Sequence, residues 1–185
     1  LIDDTFKDKP QKYLNYLKKF GFSDNFNFQI FGSSKPQIKN YSDSTWSKVS
    51  LPWIAHGYEL MLTPLHTLTF YNAIANGGYY IEPQIVKEVK NANEKIQEFK
   101  KSSSEKIATK NSIKIMKSLL EGVVENGTAD NIKHSNYKIA GKTGTAKKVV
   151  NGRYVNRYYT SFAGFFPSEE PRSEEHTSEL QSQFR

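Results

Sequence analysis

The residues with the clearest capacity for chemistry are Lys142, Thr143, Gly144 and Thr145, which follow one another directly. On a strand, Lys142 would supply a positive charge for a carboxylate, and the hydroxyls of Thr143 and Thr145 would donate hydrogen bonds to the same group. Gly144 has no side chain, so a ligand backbone can approach closely. The backbone N–H of Thr145 would point at a developing oxyanion, usually the largest stabilising term in acyl transfer. A solvated strand beside a turn glycine is the alternative interpretation.

The sequence around these residues predicts two antiparallel strands. Residues 137–140 approach the Lys-Thr-Gly triplet as a strand, and residues 158–166 form a second extended run. Between them, Asn151-Gly152 is flanked by strand-forming residues, which is a strong signal for a β-hairpin. The triplet is therefore expected on the first arm of this hairpin.

Helical periodicity predicts three helices. They are expected at 9–20, from Thr63-Pro64 to a stop at Asn76-Gly77-Gly78, and at 110–125. Residues 79–89 are expected to be extended and to lead into a strand, and 91–104 to form a polar connector.

Composition narrows the classes of function. The 185 residues suffice for one domain or part of one, and they contain no cysteine, which excludes disulfides and thiolate chemistry. The four histidines lack metal-ligand spacing, so neither a metal nor a cofactor is expected. No apolar run is long enough to span a membrane. The net charge of +7 leaves open a noncatalytic module that binds RNA or another anionic polymer, although the lysines are spread along the chain.

The last fourteen residues, 172–185, do not fit this composition. Residues 172–182 reverse-translate without interruption into a common short-read sequencing adapter. We therefore interpret 172–185 as a non-native tail and 1–171 as the natural part of the chain.

Five ordered blocks give the chain a specific resemblance. It resembles the transpeptidase domain of class B penicillin-binding proteins, of the cell-division type, over about residues 1–171. The resemblance implies an α+β fold like that of serine β-lactamases, an antiparallel sheet flanked by helices, which is incomplete here. The blocks are GYELMLTPL at 57–65, ANGG at 75–78, GTA at 127–129, AGKTGTA at 140–146 and SFAGFFP at 161–167.

The resemblance implies a peptidoglycan D,D-transpeptidase that cross-links stem peptides through a serine acyl-enzyme and binds β-lactams. Lys142, Thr143, Gly144 and Thr145 would bind the substrate carboxylate, with Lys142 and the Thr145 backbone N–H also catalytic. The family's Ser-x-x-Lys and Ser-x-Asn motifs are expected upstream of Leu1, so this fragment alone is expected to be inactive. The Ser103 to Lys106 match lies in the connector and is interpreted as coincidence.

The same resemblance implies a location and partners for the whole protein. It would be anchored in the bacterial inner membrane by a segment absent here, with its catalytic domain in the periplasm. Divisome or elongasome membrane proteins are expected as partners, and nucleic acid is not. A β-lactam-sensing receptor domain or a serine β-lactamase shares the triplet but fits blocks 57–65 and 75–78 less well.

Overall fold

A computed structural model describes residues 1–23, 25–26, 32, 34–92, 94–100 and 105–171. The chain divides into two compact units, one of residues 1–70 and 80–107 and the other of 71–79 and 108–185. The helices are α1 Ile2–Phe6, α2 Pro10–Lys19, α3 Ser50–His56, α4 Pro64–Ala75 and α5 Lys110–Glu125. The strands are β1 Gln37–Ile38, β2 Leu60–Met61, β3 Tyr79–Tyr80, β4 Glu88–Asn91, β5 Glu94–Glu98, β6 Glu105–Lys106, β7 Ala140–Val150 and β8 Arg153–Phe165.

The three predicted helices are confirmed as α2, α4 and α5. Helix α5 begins after Thr109, whose hydroxyl accepts a hydrogen bond from the backbone N–H of Ser112 at 3.1 Å, an N-cap of the usual kind. Helices α2 and α4 each begin with proline, which fits the first helical position because its missing N–H would have no partner there.

Helix α3 was not predicted, because its seven residues include Pro52. The proline lies in the first turn, where no intrahelical N–H bond is lost. The helix ends at Gly57, whose φ of 99° is the left-handed conformation that favours glycine.

The first unit has its hydrophobic core between α2 and α3. Leu14 and Leu17 on α2 and Ile54 on α3 are buried together, and half-buried side chains, including Trp46, pack around them. Antiparallel pairing of β1 with β2 aligns Ile38 with Leu60.

The predicted polar connector at 91–104 is wrong over its first part. Strands β4 and β5 form an antiparallel hairpin with Glu88 opposite Glu98. The side chains of this hairpin are mostly exposed and include both acidic and basic residues, with Lys95 Nζ 2.8 Å from Glu98 Oε2. Apolar and polar residues do not alternate along these strands, and that alternation is the pattern that normally predicts a strand. Residues 101–104, including Ser103, lie outside the described residues.

The second unit contains the predicted hairpin. Strands β7 and β8 pair antiparallel from Ala140 opposite Phe165 to Val150 opposite Arg153. Asn151 and Gly152 make the turn with φ values of 52° and 75°, as expected for an Asn-Gly turn. The hairpin prediction is confirmed, and β8 begins at Arg153, five residues earlier than predicted. The predicted extended approach at 137–139 is wrong, because β7 begins only at Ala140.

Helix α5 packs against β7 and supports it. The helix buries Ile113, Leu120 and Val124, and the paired ends of the strands bury Ala140 and Phe165. Within the described residues, no helix combines the length and apolar character needed to cross a bilayer. The predicted tail at 172–185 lies outside the described part of the chain.

Candidate functional site

All four predicted site residues lie in the first half of β7. Their partners on β8 are Ala163 for Lys142, Phe162 for Thr143, Ser161 for Gly144 and Thr160 for Thr145. Within the described chain, β7 is paired only with β8, so its other edge has no strand beside it. An edge of this kind offers backbone N–H and C=O groups to an extended peptide.

Lys142 is exposed, and its ammonium group forms hydrogen bonds with the neighbouring residue, Thr143. Nζ donates to the backbone carbonyl of Thr143 at 2.8 Å and to Thr143 Oγ1 at 3.3 Å. None of the ion pairs found among the described residues includes Lys142. Its charge is therefore not neutralised by a described carboxylate and is available to an anionic ligand.

Glycines permit the close approach of β7 and β8 beside these residues. A Cβ on Gly141 would overlap the Phe162 ring and lie 2.7 Å from the Ala163 carbonyl oxygen. A Cβ on Gly144 would meet only the hydroxyl of Ser161, at 2.7 Å. Gly141 is thus required by the packing of the hairpin, whereas Gly144 is surrounded by space that a ligand can use.

A second hydroxyl approaches the site from the loop after α5. The side-chain oxygens of Thr128 and Thr143 lie 2.8 Å apart, a hydrogen bond in which either atom can be the donor. Thr143 Oγ1 therefore contacts both Lys142 and Thr128.

Lys117 lies on α5, the helix that packs against β7, and its side chain is half-buried. Its Nζ donates to the carbonyl oxygen of Ala75 at 2.9 Å and lies 5.7 Å from the centre of the Phe165 ring. Burial lowers the pKa of Lys117, and the nearby Glu121 partly opposes that effect. Lys117 thus joins α5 to the end of β8 and is not part of the exposed triplet.

Among the described residues, no group of three His, Asp or Glu side chains comes close enough to hold an ion. The arrangement is instead a cation, hydroxyls and a strand edge, which suits a carboxylate on a peptide-like ligand.

Comparison with known families shows which family the chain belongs to. Residues 5–173 match the family model of the penicillin binding protein transpeptidase domain. The chain belongs to this transpeptidase family. The match favours the transpeptidase interpretation over a noncatalytic module that binds RNA or another anionic polymer, for which the comparisons give no support.

Curated relatives of this transpeptidase chain include a sporulation protein and a peptidoglycan D,D-transpeptidase. It is 30% identical over 164 residues to stage V sporulation protein D of Bacillus subtilis, covering 87% of this chain and 25% of that protein. It is 31% identical over 129 residues to the peptidoglycan D,D-transpeptidase FtsI of Escherichia coli, covering 69% of this chain and 20% of that protein. The chain thus spans about a quarter of the length of such relatives.

Solved structures agree with the fold. The aztreonam complex of penicillin-binding protein 3 from Mycobacterium tuberculosis superposes with a TM-score of 0.79 at 26% identity, covering 88% of this chain and 38% of that one. A D,D-transpeptidase domain from Eggerthella lenta gives 0.75 at 27% identity, covering 88% and 41%. The predicted fold class is therefore confirmed.

The structure places the sequence-predicted residues together on β7, while their chemical roles stay predictions. The contact of Thr128 with Thr143 was not predicted. The transpeptidase family resemblance had identified the Gly-Thr-Ala block at 127–129 without assigning it a function, so the signal was present in the sequence. Thr143 follows Thr128 by fifteen positions, and the packing of α5 on β7 brings the two threonines into contact.

Proposed function

We propose that the chain is the carboxylate-binding part of a serine D,D-transpeptidase that cross-links peptidoglycan. The observation that carries this proposal is the Lys-Thr-Gly triplet on β7, with an exposed ammonium group beside a strand edge that no other described strand pairs with. The family membership and the name of the Escherichia coli relative support the same reaction.

In the proposed reaction, a serine hydroxyl attacks the carbonyl carbon of the amide in a D-Ala-D-Ala stem peptide. The tetrahedral intermediate collapses, the terminal D-Ala leaves with the proton it needs, and an acyl-enzyme ester remains. An amine from a neighbouring stem peptide then attacks the ester and releases the serine. A β-lactam would acylate the same serine.

The residues of β7 have distinct roles in this proposal. Lys142, with the hydroxyls of Thr143 and Thr145, binds the terminal carboxylate. Gly144 leaves room for the ligand backbone. The backbone N–H of Thr145, together with the N–H of the serine itself, stabilises the oxyanion. The serine belongs to a Ser-x-x-Lys motif expected in a part of the protein that precedes this sequence.

The whole protein would act outside the cytoplasm, where peptidoglycan is assembled, and would be anchored in the inner membrane. Divisome or elongasome membrane proteins would be its partners. The support for both statements is the family resemblance, together with relatives named as a stage V sporulation protein and a peptidoglycan D,D-transpeptidase.

Covalent labelling of the complete protein tests the activity. A fluorescent penicillin should label it at one serine, and replacing that serine by alanine should abolish the label. Excess unlabelled β-lactam should compete. A complete protein that takes up no β-lactam and releases no D-Ala from a pentapeptide substrate would contradict the proposal.

We also propose that residues 172–185 are not native and that the natural part of this sequence is 1–171. The family match covers residues 5–173 and leaves 174–185 unmatched, which supports a boundary near this point. Sequencing genomic DNA beyond codon 171 tests it, since a reading frame that continues through the adapter sequence would contradict it.

A further inference from the structure

We infer that Thr128 is a positioning residue that sets the direction of the Thr143 hydroxyl proton for carboxylate binding. This inference rests on the proposed function, because it concerns how the same site recognises its ligand. It begins from the hydroxyl–hydroxyl contact of 2.8 Å between Thr128 and Thr143.

The hydrogen-bonding capacity of Thr143 Oγ1 limits how the site can work. A hydroxyl has one proton to donate and two lone pairs that accept. Lys142 Nζ donates to one lone pair, at 3.3 Å. If Thr128 donates to the other, both lone pairs are used, and the proton of Thr143 must point to a different acceptor. A substrate carboxylate beside Lys142 is then the acceptor available to it.

The opposite direction of the hydrogen bond would weaken the site. If Thr143 donated to Thr128, its only proton would be used within the protein. Its remaining lone pair would then face the carboxylate, and two acceptors facing each other repel. Binding of an anion therefore selects the arrangement in which Thr128 is the donor.

The loop that carries Thr128 is built to hold it in place. A Cβ on Gly127 would lie 2.8 Å from the carbonyl oxygen of Val123, so the glycine allows the loop to fold closely over the end of α5. The next residue, Ala129, is 2% exposed, and its N–H donates to the same carbonyl at 3.1 Å. Thr128 itself stays exposed between these two fixed residues. A threonine held this way can orient a partner hydroxyl without contributing to the core.

The test compares two acylating ligands on the complete protein. Benzylpenicillin has the carboxylate, and its methyl ester lacks the negative charge. Second-order acylation rates of both are measured by intact-protein mass spectrometry for the parent, Thr128→Val and Thr128→Ser. We expect Thr128→Val to slow benzylpenicillin by about 5- to 10-fold relative to the ester, the size of one neutral hydrogen bond. Thr128→Ser should restore the parent ratio.

A double-mutant cycle with Thr143→Val removes the hydroxyl through which Thr128 acts. In that background, Thr128→Val should have no further effect on the ratio of the two rates, as expected for coupled residues. An equal slowing of both ligands would show a structural role and overturn the inference, as would an unchanged or faster reaction with benzylpenicillin. If the parent is acylated by neither ligand, the proposed function itself fails, and the inference fails with it.

Discussion

Replacing Lys142 by alanine separates ligand binding from stability at the candidate site. The lysine is exposed, and its hydrogen bonds in the described structure go only to the adjacent Thr143, at 2.8 and 3.3 Å. Losing them leaves no buried group without a partner. We therefore expect the free energy of unfolding to change by less than about 0.5 kcal/mol, as for other surface substitutions.

The effect on acylation should be much larger. A hydrogen bond to a charged group contributes about 1.5–3 kcal/mol. If Lys142 forms one such bond with the ligand carboxylate in the transition state, its loss corresponds to an acylation rate about 10- to 150-fold lower. Any influence of the ammonium group on the serine itself would add to this loss.

The assay is the second-order rate of labelling of the complete protein by a fluorescent penicillin, with thermal unfolding measured in parallel. Lys147→Ala is the matched control, because it removes the same charge from the same strand. Lys147 lies 5.9 Å from the centre of the Tyr158 ring and belongs to no predicted site. We expect the control to stay within about twofold of the parent. An equal loss in both variants would indicate a general charge effect, and an unchanged rate in Lys142→Ala would refute the assigned role.

Two further predictions concern stability. Gly141→Ala should lower the melting temperature of the complete protein, because the new Cβ would overlap the Phe162 ring. In α5, the Cβ of Gly122→Ala would meet no atom within 4 Å, so this substitution should stabilise the protein by roughly 0.5–1 kcal/mol. Equal melting temperatures for the two variants would contradict this prediction. Glu59 pairs with Lys39 at 2.7 Å, with both side chains under one-fifth exposed, and Glu59→Gln should cost about 1–3 kcal/mol at neutral pH in chemical denaturation. Burial of Glu59 favours its neutral form, but hydrogen bonds from Lys39 and Ser50 and the charge of Lys39 outweigh this and lower the pKa of Glu59 below the ordinary 4.5. The parent should therefore lose the stability of this pair as the pH falls below about 4.5, and the variant should not; parallel stability curves for the two proteins would contradict this.

Local signals made much of the second unit predictable. The apolar face and the Thr109 N-cap of α5 lie in neighbouring residues, and the Asn151-Gly152 turn requires positive φ values that these two residues tolerate. The β4–β5 hairpin was missed because its charged and polar side chains are exposed on both faces. Hydrogen bonding between its strands, and not a hydrophobic pattern, defines it.

The sequence by itself determined the family, the hairpin and the position of Lys142, Thr143, Gly144 and Thr145 along one strand, because these depend on neighbouring residues. Tertiary structure alone decided which distant groups meet them. It brings Thr128 to Thr143, and it pairs Lys39 with Glu59 across twenty residues. Such contacts depend on how helices and strands pack against each other, and the types of the residues do not encode that distance.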